Sequence, residues 1–512
     1  MSHPQLARNT FYLTAASVGQ KLLSFVYFLL IARLLMPERT GAYVLSLSFL
    51  VIFLVVADVG ITSVVIRDVA QHVENAARRV RLAMAVKIPA TALAIIAASV
   101  MSWILGYDPI VRELIALGAF ILIADSFSLF LYGVLRGHHL LWWESIGMFL
   151  GQLITLSIGS LILLTSRSLQ LLMFALIAGS IFNLGLSVFQ VSRKIGWKAF
   201  VPLWDRKAIF LLLKTALPFF LAAIFVKIYN YIDIQLLYMF LGKAVVGIYA
   251  VAYKYTYAFQ FLPLAFIAAL YPSMSRAYEH DRTGLSKLFE QAMWYLMLLV
   301  MPLAFGLWSL AEDAVALTGH AYGDAVPVLQ TLVFALIPNF MDFPVGSLLN
   351  AAGRQGTKTV LFGIAMSINF VLNLFLIPRF GMVGAAVASI ISLSVLFLTG
   401  LWYANRLLPD FHPTRLLKFG VPMAVSGIIM AGVATWARPW FDRVGEWAYH
   451  ALQLPSGSVR LISILLSLVV SAVVYFGLLI AMRVLTRRHL EQALDLVRRK
   501  SKEYVEAPAP HA

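Results

Sequence analysis

The candidate ionisable side chains within long apolar runs are Lys21, Asp58, Asp125, Lys227, Asp233, Lys254 and Asp342. Arg33 stands near the end of the first run. An ionisable group at the centre of a bilayer costs at least about 2.5–3.5 kcal/mol on insertion scales, so it persists where it is paired or faces a wet cavity. The two signs suit different chemistry. Lysines on a cavity wall act as point charges toward phosphate, through charge-assisted hydrogen bonds. Buried carboxylates carry a coupling ion or brace a neighbouring cation.

The composition says what must hold these residues. Of 512 residues, 61% are apolar and 12% charged, whereas soluble domains average about 45–50% and about 25%. A spanning helix takes about 20 apolar residues. Apolar runs bounded by Gly, Pro or charge begin at about 11–35 and end at about 460–482, and they predict fourteen spanning helices in an all-α integral membrane fold. The first run is too long for a signal-peptide core and no A-x-A site closes it, so it reads as a spanning helix. There is no cysteine, hence no disulfide and no thiolate metal site.

The formal net charge of +16 is a topology signal. With the N-terminus cytoplasmic, about 24 Lys and Arg fall inside. The outside loops hold only Arg39, Arg167, Lys243, Arg379, Arg438 and Arg443. This asymmetry explains the basic balance without nucleic acid. It places a multi-pass protein in the cell inner membrane with both termini cytoplasmic. The segment 487–502 reads as a basic surface helix on anionic lipid.

An internal repeat organises the chain. Leu35-Met-Pro-Glu-Arg-Thr-Gly41-Ala-Tyr43 aligns with Leu241-Gly-Lys-Ala-Val-Val-Gly247-Ile-Tyr249 at an offset of 206. The offset carries Lys21 onto Lys227 and Arg81 onto Lys287. It predicts two pseudo-symmetric six-helix bundles, 1–207 and 208–405, then helices 13–14 at 406–484 and a basic tail at 485–512. Parallel repeats about an axis along the membrane normal are a transporter plan.

The repeat puts one cation on each bundle, an arrangement suited to a pyrophosphate. The local alternative pairs Lys21 with Asp58 across the first hairpin. Asp233 and Lys254 lie ten or eleven residues from the turn near Lys243, at one depth. Either they form a buried ion pair, or Lys254 faces the cavity and Asp233 is a proton or Na+ site. Asp58 reads as a brace of helix 2. Asp125 and Asp342 have no partner legible in the sequence, and either could couple to an ion gradient. Tyr249, Tyr253 and Tyr257 recur at i+4 on one helix face. With Tyr229 and Tyr231 they either contact sugar rings or form an ordinary helix interface.

Three segments resemble one family. They are Arg8-Asn-Thr…Lys21…Ala32-Arg33…Gly41-Ala-Tyr43…Asp58-Val-Gly60, then Pro218…Tyr231-Ile-Asp233…Gly247-Ile-Tyr249 with Leu262-Pro263 and Tyr271-Pro272, and Ala351-Ala-Gly353-Arg354…Asn369…Asn373…Pro378…Gly381-Met-Val-Gly384. In order and spacing they resemble Wzx-type oligosaccharide flippases over about residues 8–405. The resemblance implies the MATE-like MOP superfamily fold. It implies inversion of polyprenyl-pyrophosphate-linked oligosaccharide for O-antigen or exopolysaccharide synthesis, by alternating access, without a cofactor and with polysaccharide polymerase machinery downstream. Drug exporters of the superfamily often carry acids in the first helix. Lys21 and Arg33 stand there instead, which favours an anionic substrate.

Other chemistries find little support. There is no HExxH and no G-x-S-x-G. Gly353-Arg-Gln-Gly-Thr-Lys-Thr359 lacks the Gly-Lys-Ser/Thr run of a P-loop and reads as a basic cytoplasmic turn. Asp442, Glu446 and His450, on an external loop at 438–459, read as an exposed polar face rather than the catalytic groups of a membrane polymerase or ligase. The expectation is a transporter rather than an enzyme. The competing transporter is an ion-coupled exporter of small molecules.

Overall fold

A computed structural model describes residues 3–452 and 458–486. Among them there is no strand. Sixteen α-helices follow in chain order: α1 (His3–Asp58), α2 (Ile61–Gln71), α3 (Ala76–Ile104), α4 (Pro109–Gly137), α5 (Leu141–Thr165), α6 (Leu169–Ile195), α7 (Arg206–Leu241), α8 (Lys243–Tyr257), α9 (Phe261–His280), α10 (Arg282–Ser309), α11 (Ala311–Thr318), α12 (Ala325–Leu332), α13 (Leu336–Ala351), α14 (Gln355–Leu407), α15 (Thr414–Leu452) and α16 (Ser458–Ala481). Among the described residues, eleven helices are long and apolar enough to cross a membrane, or twelve if α8 and α9 make one bent span.

Two of these helices, α1 and α14, are long and broken inside by a non-helical residue. At 1.5 Å per residue the 41 residues Val18–Asp58 would reach about 60 Å, twice the roughly 30 Å hydrocarbon core. α1 breaks at Met36, whose φ of 66° and ψ of 161° are non-helical. Pro37 follows and disfavours a helical residue before it. The repeat-equivalent residue, 206 positions on, is Gly242, with φ 85° and ψ 179°, and there the chain parts into α7 and α8. The same backbone event ends the first helix of each repeat. α14 breaks likewise at Gly381, with φ 59°. Counting α1 and α14 as two crossings each would bring twelve to the fourteen that hydropathy predicts.

Packing divides the described residues into two units. One holds the residues up to His280 with Ala314–Ala404; the other holds Asp281–Asp313 with the residues from Asn405 onward. In the first, α5 and α6 cross where a Cβ on Gly179 would strike the Gly151 carbonyl, a close helix approach that only small residues permit. An apolar cluster around Val65, Val80, Phe130 and Val191 joins α2, α3, α4 and α6. In the second unit α15 and α16 run antiparallel, with Gly445 against Val459 at one end and Ser426 near Met482 at the other. Arg438 holds Glu312 at 2.6 Å and Asp313 at 2.8 Å. The segment expected to be an external loop from 438 is therefore helical through Leu452. It carries Glu446 and His450 as exposed side chains and Asp442 half-buried. The proposed surface helix 487–502 lies outside the described residues.

Candidate functional site

All the intramembrane candidates belong to the first unit, and the structure sorts them into paired and unpaired groups. Asp58, the last residue of α1, does not meet Lys21. It pairs with Lys87 of α3 at 3.2 Å and accepts from Thr62 of α2. Lys87 is 0% exposed and lies over the Phe127 and Phe130 rings. The carboxylate thus ties together the helices on either side of the α1–α2 turn. Lys87 was legible as the one charge inside the apolar run 82–105, the same signal that marks Lys21, and sequence reasoning passed over it. Removing one partner of a buried pair strands the other charge, so Lys87→Met should destabilise the protein by about 3–5 kcal/mol. Adding Asp58→Asn should recover most of that loss, as read by thermal unfolding in detergent.

Asp342 is not isolated either. Lys358 Nζ reaches its two oxygens at 2.5 and 2.6 Å, bridging α13 and α14. Lys358 was assigned to a cytoplasmic turn, but α14 begins at Gln355 and already presents it as a helical residue. With a cation beside it, Asp342 is a structural partner first.

Lys21, Lys227 and Lys254 have no acidic partner among the described residues. Lys254 of α8 reaches Ser24 Oγ of α1 at 3.4 Å and lies 5.4 Å from the centre of the Phe28 ring. Lys21, one helical turn before Ser24, is close enough to act electrostatically on Lys254. Two like charges therefore stand on the neighbouring helices α1 and α8, with the Ser24 hydroxyl and the Phe28 ring against Lys254. Lys227 of α7 stands 5.9 Å from the Tyr231 ring centre. Arg33 is exposed near the end of the first half of α1. The predicted Asp233–Lys254 ion pair is not formed. Lys254, on α8, turns toward Ser24 and Phe28 of α1, while Asp233, on α7, turns toward Asn373 and Ser389 of α14.

Asp233 is 5% exposed and surrounded by neutral groups. It accepts from Asn373 Nδ2 at 2.7 Å, Ser389 Oγ at 2.8 Å and the Tyr249 hydroxyl at 3.1 Å. Asn373 also donates to Asn369 Oδ1 at 3.0 Å. A second layer follows, in which the Tyr229 hydroxyl meets Ser392 Oγ at 3.0 Å. Asn373 Oδ1 is buried without a hydrogen-bond partner. A buried carboxylate with no cation, beside an unused amide oxygen and a serine hydroxyl, is a set of hard oxygen donors that suits a proton or a small monovalent cation. Asn369, Asn373, Ser389 and Ser392 come from the two halves of α14, and nothing in their own spacing pointed to α7.

The tyrosines divide accordingly. Tyr249 is 0% exposed and Tyr229 is buried, and both belong to the Asp233 network. The proposed sugar contacts at these two positions are therefore corrected: each hydroxyl is already committed to a buried partner. Tyr231, Tyr253 and Tyr257 are half-buried, with the Tyr253 and Tyr257 rings 4.4 Å apart. Asp125 of α4 is half-buried, with the Ser180 side chain of α6 as its hydrogen-bonding neighbour.

This geometry can be set beside known proteins. The family model described as "Polysaccharide biosynthesis protein" matches residues 6–278, and the MatE model matches 218–375. A Haloferax volcanii protein named "Probable low-salt glycan biosynthesis flippase Agl15" is 24% identical over 281 residues, 54% of this chain and 57% of its own. The same organism's "Probable flippase AglR" is 28% identical over 171 residues, 33% of this chain and 36% of its own. The matched region thus spans little more than half of the first relative and about a third of the second. Among solved structures, a lipid II flippase MurJ in an inward closed conformation superposes with a TM-score of 0.68 at 14% identity, covering 92% of this chain and 98% of that one. At that identity the likeness establishes the fold.

Proposed function

Since the chain belongs to the polysaccharide biosynthesis protein family of the MOP superfamily, we propose that it flips a polyprenyl-pyrophosphate-linked oligosaccharide from the cytoplasmic to the outer leaflet. The observation that carries the reading is the pair Lys21 and Lys254, two lysines on neighbouring helices that have no acidic partner among the described residues. Their cost is offset when a dianionic ligand supplies the missing charge. Lys227 and Arg33 extend the basic surface, and Tyr231, Tyr253 and Tyr257 offer faces and hydroxyls to the first sugars. The lipid tail stays in the bilayer while the head group crosses. Asp233, with Asn369, Asn373 and Ser389, binds the coupling proton or Na+. The chain works in the cytoplasmic membrane, with both termini inside, as a transporter supplying a downstream polymerase.

The test is mass spectrometry of polyprenyl-linked lipids in a strain lacking the gene, with and without its restoration. Accumulation of an oligosaccharyl-pyrophosphate lipid that restoration clears is the expected result, and it would name the glycan. An unchanged lipid pool would favour a small-molecule exporter, the reading to which the MatE match over 218–375 lends support. Accumulation of single repeat units on the outer leaflet would instead indicate a polymerase.

A further inference from the structure

The starts of the second helix in each repeat, Pro37–Gly41 within α1 and Lys243–Gly247 in α8, touch each other. A Cβ on Gly247 would run into the Pro37 carbonyl and the Gly41 amide; a Cβ on Gly41 would run into the Lys243 carbonyl and the Gly247 amide. Residues 37 and 243, and 41 and 247, are each 206 apart, the repeat offset. The contact therefore maps onto itself when the repeats exchange, the self-complementary form of a two-fold interface. Glycine on both sides lets two backbones meet without a side chain between them.

Polar contacts between the repeats gather around this point. Lys243 Nζ lies 3.1 Å from Glu38 and 2.9 Å from Asp108. The Tyr322 hydroxyl bonds Thr40 Oγ1 and the Ala32 carbonyl, both at 2.9 Å. Gln235 joins Tyr107 at 2.5 Å and Ser48 at 3.0 Å. Tyr238 accepts from the Asp108 amide at 2.9 Å. Lys243 is 26% exposed and also borders a surface pocket of about 490 Å³ shared with Asp108 and Tyr238. Water reaches its ion pairs, so they hold the seam without locking it.

We propose that this seam is the outer gate of the transport cycle and that Lys243 is its latch. The gate shuts where two repeat-equivalent helix starts meet, and it opens when Lys243 leaves the two carboxylates of the other repeat. Its side of the membrane follows the Lys and Arg asymmetry, which puts Arg39 and Lys243 outside. The gate does not depend on which solute crosses.

Cysteine labelling tests it. The chain contains no cysteine, so Ser48→Cys, 2% exposed within the seam, would be its single thiol; its altered contact with Gln235 is common to every background compared. In intact cells a membrane-impermeant maleimide should label that thiol slowly in the otherwise native chain. Lys243→Gln should raise the rate about tenfold, the shift expected when a bias on a two-state closure is removed. Gly247→Val, which forces the backbones apart, should raise it further. If that variant does not accumulate, Glu38→Gln with Asp108→Asn removes the latch from the other side and should match Lys243→Gln. Equal labelling in every background, or labelling confined to inverted vesicles, would overturn the gate. Labelling needs no substrate, so a negative lipid analysis would reject the flippase reading and leave this outcome standing.

Discussion

Lys254→Gln should cut flipping of the pyrophosphate lipid at least about 30-fold, because losing one partner of a desolvated charged contact costs about 2–5 kcal/mol. Reconstituted vesicles carrying a labelled polyprenyl-pyrophosphate oligosaccharide would measure it. Lys21→Gln should act in the same direction, and the double variant should fall short of the product of the two losses, since both side chains address one anion. Stability gives the contrasting sign. Neither lysine has an acidic partner among the described residues, so removing a partly buried cation should leave the unfolding temperature unchanged or raise it. A structural lysine behaves oppositely, as Lys87→Met would show in parallel. Full flipping by the Lys21→Gln, Lys254→Gln double variant would reject the cavity assignment. Lys254→Arg keeps the charge but not the compact ammonium, and should retain part of the activity.

The second large effect is expected at Asp233. Asp233→Asn removes the carboxylate and keeps the shape, so the helices should still pack and the unfolding temperature should not fall. Flipping driven by a proton or Na+ gradient should drop to the level seen without a gradient. Varying the two gradients separately in proteoliposomes identifies the ion. Asn373→Ala should weaken the response to Na+ if the amide oxygen is a ligand, and should leave a proton-driven response in place. Exchanging the charges of Asp233 and Lys254 should not restore function, because the two side chains serve different clusters. Recovery in that swapped variant would reinstate the ion pair and remove the coupling site.

Much of the architecture was legible because the bilayer imposes a simple length rule. Runs of about 20 apolar residues mark spans whatever they pack against, and buried charges stand out within them. The repeat was legible at the Leu35–Tyr43 and Leu241–Tyr249 hairpins, since both halves must make the same sharp turn. Partner choice was another matter. Depth along a helix follows from counting, but the direction a side chain faces depends on helix rotation about its own axis. Asp233 and Lys254 were placed at similar depth and still were not joined.

The residues alone pointed to an all-helical membrane protein with many spans, to an internal repeat and to most of the charges that had to be accounted for. Each of these is written along one chain direction, in hydropathy, spacing and offset. Only the tertiary structure decided which charges cancel. It gave Lys87 to Asp58 and Lys358 to Asp342, surrounded Asp233 with neutral oxygens and amides from α14, and left Lys21 beside Lys254 without an anion. Those outcomes depend on contacts between residues far apart in the chain, 156 positions between Asp233 and Ser389 and 230 between Ser24 and Lys254. They are settled by how helices rotate and cross when apolar faces and small residues pack, which no single helix encodes.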